Sequence, residues 1–159
     1  MMNLGQTRHA LAVRAFLLAL GLSGCGRPFA VTTPPSMIEL EQQTDYAYRA
    51  MTPDGVVLGV RVADSGKTDA AFWSQAVTLH MKELSGYAFL ATADVATADG
   101  VPGKELRFGH DESNRPYQYV VRLFVLGQRL FVVEAGGTKE EMDRARPAVD
   151  RAMGSIRLR

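Results

Sequence analysis

Residues 117–137, YQYVVRLFVLGQRLFVVEAGG, leave the chain few ways to fold. Tyr117, Tyr119, Val121, Leu123 and Val125 alternate onto one side of an extended strand; Val120, Phe124 and Leu126 fall on the other, with Arg122 among them. Period-two alternation marks a strand, and apolar residues on both sides mean that both sides are covered. Gly127-Gln128 fits a two-residue hairpin turn with glycine first, where a positive φ is wanted. The spacing therefore predicts a central β-hairpin enclosed by two layers. Glu134 stands inside its second strand, where an ionised carboxylate is unusual. Either it faces Arg122 across the hairpin as an ion pair, or it is a carboxylate held in a pocket with its pKa raised.

The flanking segments supply the layers. DYAYRAMT alternates Tyr46, Tyr48 and Ala50 against Ala47, Arg49 and Met51, and after the turn at PDG the run VVLGVRVAD places Val56, Leu58, Val60 and Val62 together. From Thr68 the period changes: Trp73, Ala76, Val77, His80 and Leu84 share one face of a helix that Thr68 or Asp69 can cap. YAFLATADVATA reads as a strand, DGVPG as a turn, and KELRFGHD as a short strand with Leu106 and Phe108 opposed to Glu105 and Arg107. TKEEMDRARPAVDRAM opens with the Thr138–Glu141 capping box and carries Met142, Ala145, Val149 and Ala152 or Met153 as a buried stripe. Pro147 inside that stripe is expected to kink or restart the helix. The order β-β-α-β-β-β-β-α, with SIRLR as a short closing strand or tail, predicts an α+β fold: a mostly antiparallel sheet with two main helices packed on it.

Ahead of this domain the chain reads as an export signal. Arg8, His9 and Arg14 precede the apolar core AFLLALGL, which is too short to span a bilayer. It ends in Leu22, Ser23, Gly24 and Cys25, and these four residues resemble the lipobox of bacterial lipoproteins. The resemblance implies that the Cys25 thiol receives diacylglycerol and that the signal is cut just before it. Residues 1–24 are then discarded and Cys25 becomes the first residue of the mature chain. Gly26, where an inner-membrane lipoprotein of proteobacteria usually has Asp, implies the outer membrane, facing the periplasm, in an organism that has one. Residues 25–37 carry Pro28, Pro34 and Pro35 and read as an extended tether, at ~3.1 Å per residue long enough to lift the domain some 30 Å from the membrane. The single α+β domain is then residues 38–159.

The element order, GVPGKELRF, the long hairpin and a last helix running into MGSIRL together resemble the PsbP-like superfamily over roughly residues 45–158. That resemblance implies a binding or assembly module and offers no shared catalytic residues to carry over.

The remaining polar features are weaker. GHDES groups His110, Asp111 and Glu112, residue types able to bind a cation or do acid–base work. Three neighbours in one segment point different ways, whereas a metal needs converging ligands, so a solvated loop is the expectation. His80, on the apolar side of its helix, is expected to be partly buried and hydrogen-bonded. No G-x-S-x-G elbow accompanies the histidines, and Asp94 and Asp99 lack EF-hand spacing. Tyr46, Tyr48, Tyr117 and Tyr119 read as packing on sheet faces rather than as a stacking platform for bases. A single cysteine excludes an internal disulfide and a CxxC metal site, and a net charge of +1 gives no electrostatic reason for nucleic acid.

The function expected is a non-catalytic, lipid-anchored binding or assembly module of the cell envelope. It would be held to the membrane by its anchor, would engage a protein partner, and would use no cofactor or metal. The alternative is a small envelope hydrolase or ligand-binding enzyme using His110, Asp111 or Glu134.

Overall fold

A computed structural model describes residues 26–41 and 45–159. The elements run β1 (Phe29–Ala30), β2 (Ile38–Glu39), β3 (Tyr48–Met51), β4 (Val57–Asp64), α1 (Ala70–Glu83), β5 (Ala88–Ala96), β6 (Pro102–Glu112), β7 (Arg115–Leu126), β8 (Arg129–Thr138), α2 (Lys139–Gly154) and β9 (Arg157–Leu158). Seven strands form one sheet in the order β2-β3-β4-β8-β7-β6-β5, each neighbouring pair antiparallel. The fold is α+β, as the element order predicts. The β7–β8 hairpin lies inside the sheet, and Gly127 in its turn has φ of +62°.

One face of the sheet carries α2. Leu58, Val60, Phe124, Phe131, Val133 and Ala135 meet Met142, Ala145, Val149, Ala152 and Met153 in the larger core. The capping box forms as expected: Thr138 Oγ1 accepts from the Glu141 N–H, and the Glu141 carboxylate accepts from the Thr138 N–H. Pro147 does not break the helix, which runs unbroken through it. Its ring and Asp143, whose carbonyl loses its usual partner, are both exposed, so water can take over that carbonyl. The other face carries α1, capped by Asp69, whose Oδ1 accepts from the Phe72 N–H at 2.8 Å. Here Leu106, Phe108, Val121, Leu123 and Leu130 form a smaller core, against which Trp73, Val77 and Met81 pack only in part. The helices thus differ: α2 buries five residues and α1 buries none.

The structure departs from the sequence reading in three places. First, the tether does not stand free. Phe29 is 3 % exposed and Met37 is also buried in the larger core. β1 pairs with β9, and the Arg159 N–H donates to the Pro28 carbonyl. The prolines favour extended backbone, and extended backbone with an apolar Phe29 finds a strand to pair with. Second, the strand read in KELRFGHD runs on through Glu112, so His110, Asp111 and Glu112 sit in it and not in a solvated loop. His110, Asp111 and Glu112 end β6 opposite Tyr117, Pro116 and Arg115. The turn is Ser113-Asn114, with φ of +51° and +61°, the paired positive values of a tight hairpin turn. Third, β3 begins only at Tyr48, and Tyr46 leaves its alternation.

The lipobox residues Leu22, Ser23, Gly24 and Cys25, with the rest of residues 1–24, lie outside the described residues. Among the described residues no helix is long and apolar enough to cross a membrane.

Candidate functional site

α1 packs on the sheet only in part, and it leaves space beneath it. A cavity of about 510 Å³ lies between α1 and the sheet, within the ~300–1,000 Å³ typical of small-molecule sites. Trp73, Ala76, Val77, His80 and Met81 form its α1 wall, and Val121, Leu130 and Val132 much of its floor. The gap follows from side-chain size. On this face β4 presents Gly59, Arg61 and Ala63 opposite Glu134, Val132 and Leu130 of β8. None of the β4 residues carries a large apolar group able to reach the helix.

The polar end of the cavity is built around Glu134, which is 5 % exposed. Its Oε1 accepts from the Tyr46 hydroxyl at 2.6 Å. Its Oε2 accepts from the Tyr119 hydroxyl at 2.5 Å and from Arg61 Nη2 at 2.5 Å. Gly59 makes room for this: a Cβ there would lie 2.6 Å from Tyr46 Cε1. The guanidinium groups of Arg49 and Arg61 lie over the Tyr46 ring, at 4.9 and 5.3 Å from its centroid. Burial, reinforced by the Glu134 carboxylate, pushes the Tyr119 hydroxyl far above its ordinary pKa and raises that of Tyr46 as well. Burial opposes the charge of Arg61, but its bond to Glu134 outweighs this and raises its pKa.

The chemistry that results is directional. Both carboxylate oxygens of Glu134 are engaged and both tyrosines stay protonated, so the cluster offers no free base. Two N–H groups, by contrast, have nothing to bond to: Trp73 Nε1 and Arg61 Nε are buried without a hydrogen-bond partner among the described residues. Both side chains line the cavity.

The residues singled out from sequence scatter. Glu134 lies in the cavity, but its ion-pair partner is Arg61, not Arg122. The hairpin register sets Arg122 opposite Val133 and Glu134 opposite Val121, and successive residues of a strand point to opposite faces. Arg122 instead bonds the buried Glu105 on the α2 side, its Nε donating at 2.8 Å, and Arg107 Nε donates to the same carboxylate at 2.8 Å. Burial works against the charge of Glu105, but these bonds prevail and hold its carboxyl below the usual range.

His80 is on the rim of the cavity and exposed, not partly buried as expected. His110 lies elsewhere, its Nδ1 3.2 Å from the Gly86 carbonyl and its ring 4.9 Å from that of Tyr87. Asp111 and Glu112 are exposed. Among the described residues no group of three or more His, Cys, Asp or Glu is arranged to hold a metal ion. Asp94 bonds Lys104, and Asp99 accepts from Thr97 and from the Leu158 N–H. Tyr48 packs in the larger core, whereas Tyr46 and Tyr119 serve as donors to Glu134. Sequence reasoning missed Arg61, Trp73 and these two hydroxyls. One signal pointed to Arg61: it is the one charged residue within VVLGVRVA, on the side opposite Val56, Val60 and Val62.

No protein-family model matches the sequence, and no curated protein does. Solved structures do resemble it. LpqN, involved in cell envelope biogenesis of Mycobacterium tuberculosis, superposes with a TM-score of 0.69 at 12% identity, covering 82% of each chain. The Saccharomyces cerevisiae Ran-binding protein Mog1p gives 0.59 at 14%, covering 82% of this chain and 90% of that one. Cyanobacterial PsbP from Synechocystis gives 0.55 at 11%, covering 86% and 96%. At such identities the likeness is one of fold: two helices packed on a mostly antiparallel sheet.

Proposed function

We propose that this chain is an exported, lipid-anchored binding module of the bacterial cell envelope that acts without catalysis. The observation that carries this is the cavity under α1. Its walls are mostly apolar, both oxygens of its one carboxylate already accept hydrogen bonds, and no serine, threonine or cysteine lines it. A wall of that kind holds a ligand or a partner's side chains; it does not attack them. The hydrolase alternative is left with His80 and Glu134 at one cavity, the second already accepting from Tyr46, Tyr119 and Arg61, and with His110 and Asp111 elsewhere. The LSGC motif supports export and the anchor at Cys25. The likeness to LpqN, a protein involved in cell envelope biogenesis, supports the same compartment.

Two measurements test the reading. Replacing Cys25→Ser should abolish labelling by a radioactive fatty acid and stop maturation of the precursor; normal maturation of the variant refutes the anchor. Capture from detergent-solubilised membranes should recover a stoichiometric partner with the native chain and lose it with Ala76→Phe, which fills the cavity. Equal recovery by both chains removes the cavity from the function.

A further inference from the structure

We infer that the open edge of β5 pairs with the same edge of a second copy of this chain, antiparallel and centred on Ala93, so that two sheets join into one. This depends neither on the cavity nor on the anchor.

The sheet ends in two unlike edges. β2, at one end, is two residues long, whereas β5, at the other, runs nine residues from Ala88 to Ala96. Long edges are usually blunted by lysine, proline or a bulge. β5 has no lysine and no proline, and its one charge, Asp94, is already bonded by Lys104 Nζ at 2.5 Å. Its bulge, between Phe89 and Ala91, leaves Ala91–Ala96 regular. The apolar surface gathers at the same edge. Eight large apolar side chains are exposed among the described residues, and five of them, Phe72, Leu79, Leu84, Phe89 and Leu90, belong to β5 or to α1 and its C-cap.

The phase of the backbone decides how this edge can pair. The Thr97 N–H donates to the Val101 carbonyl, so Thr97 turns its backbone groups toward the β6 side. Antiparallel pairs alternate, and the register is regular from Ala91 to Ala96. Ala91, Ala93 and Val95 therefore bond β6, while Thr92, Asp94 and Ala96 present N–H and C=O outward. A two-fold pairing must set outward residues against outward residues. Centring it on Ala93 does so within the regular stretch. Thr92 then faces the partner's Asp94 and Asp94 the partner's Thr92, which forms four N–H···O bonds and lets each threonine hydroxyl donate to a carboxylate. Centring on Asp94 would oppose two carboxylates, and centring on Thr92 would draw in the bulge.

A second copy fits this edge because it closes both open edges at once: the joined sheet ends in the two-residue β2 on either side. A single added peptide strand would itself become an open edge. The two-fold axis, normal to the sheet, also sets the two α1 helices side by side. Leu79, which lines the groove between α1 and β5 with Phe89, and Phe72, two turns earlier on the same stripe, then face the partner's helix.

Residues 26–159, which contain every core residue described above and no cysteine, should sediment as a dimer that dissociates on dilution. Thr92→Pro removes one outward N–H from each copy and leaves the β5–β6 ladder intact. It should weaken the dimer at least about thirtyfold, the loss of two backbone hydrogen bonds, with the circular dichroism unchanged. Single thiols read the register. Ala93→Cys lies opposite its own copy, at about 4.5 Å between Cα atoms, and should form an interchain disulfide in air. Ala96→Cys lies about 20 Å from its copy along the strands and should not. A chain that is monomeric at every concentration at which it stays soluble overturns the inference. So does a dimer that Thr92→Pro leaves as tight, or cross-linking by Ala96→Cys in preference to Ala93→Cys. If Thr92→Pro fails to fold, the two thiol variants decide alone.

Discussion

Glu134 provides the sharpest test of how the sheet is read, because the sequence suggested Arg122 as its partner and the fold gives it Arg61. The perturbation is a pair of double-mutant cycles, Glu134→Gln with Arg61→Gln and Glu134→Gln with Arg122→Gln. The Arg61 pair is 2.5 Å long, with the glutamate side chain 6 % and the arginine side chain 44 % exposed. Two unit charges about 4 Å apart interact by ~4 kcal/mol at the effective dielectric near a protein surface. Water around the half-exposed guanidinium screens much of that, so a coupling of ~1–2 kcal/mol is expected. Arg122 lies on the opposite face and shares no hydrogen-bond partner with Glu134, so its coupling should be below ~0.5 kcal/mol. Glu134→Gln alone removes the charged acceptor of three donors and should cost ~2–4 kcal/mol. Urea unfolding with linear extrapolation measures every corner of both cycles. A coupling above ~1 kcal/mol between Glu134 and Arg122, or none between Glu134 and Arg61, would refute the assignment of faces and with it the polar end of the cavity.

Three further outcomes are expected. Phe29→Ala removes a ring that is 3 % exposed and packs edge-on against Phe131 at 6.5 Å; the loss should be ~3–5 kcal/mol, or roughly 10 °C in melting temperature, and a silent substitution would mean that residues 26–37 are a free spacer. Glu105 is held below its ordinary pKa of 4.5 in the fold, so its stabilisation is present above about that pH and is lost as pH falls through the folded value. Glu105→Gln should therefore be less stable at neutral pH and lose less on acidification; parallel stability profiles for the two proteins from pH ~7 to ~3 would sink this. Gly103→Ala would place a Cβ 2.4 Å from the Leu123 carbonyl and from the Phe124 ring; β6 must then shift from β7, at ~1–3 kcal/mol, and an unchanged midpoint in urea would contradict the close approach of these strands.

Local periodicity made most of the architecture legible. The alternation in β4, β6, β7 and β8 named the faces, and the capping box marked the start of α2, because each signal is complete within a few residues. The Arg122 assignment failed on register rather than on information. A two-residue turn at Gly127-Gln128 pairs Leu126 with Arg129, and counting back from it sets Arg122 beside Val133. The other differences depend on contacts far apart in sequence. Phe29 pairs with Leu158, and nothing near Pro28 signals that partner. Tyr46 leaves the β3 alternation because Gly59, on the next strand, gives its ring a place to lie. The cavity is the hardest to foresee, since it arises from a shortage of large apolar side chains on one face of β4, and that strand does not show by itself that α1 will lie over this face.

The docking of β1 also changes how far the protein can reach. Only Gly26, Arg27 and Pro28 separate Cys25 from Phe29, and Arg27 is itself held by Glu39 and by the Tyr48 ring. At ~3.6 Å per residue such a leash spans roughly 10–15 Å, less than half the reach of a free tether through residue 37. An acyl anchor on Cys25 would thus confine the domain to a thin layer at the bilayer surface, its β1–β9 edge nearest the lipid. Encounter becomes a two-dimensional search: the effective concentration of anything in the membrane plane rises steeply, while a partner more than a few nanometres away is out of range.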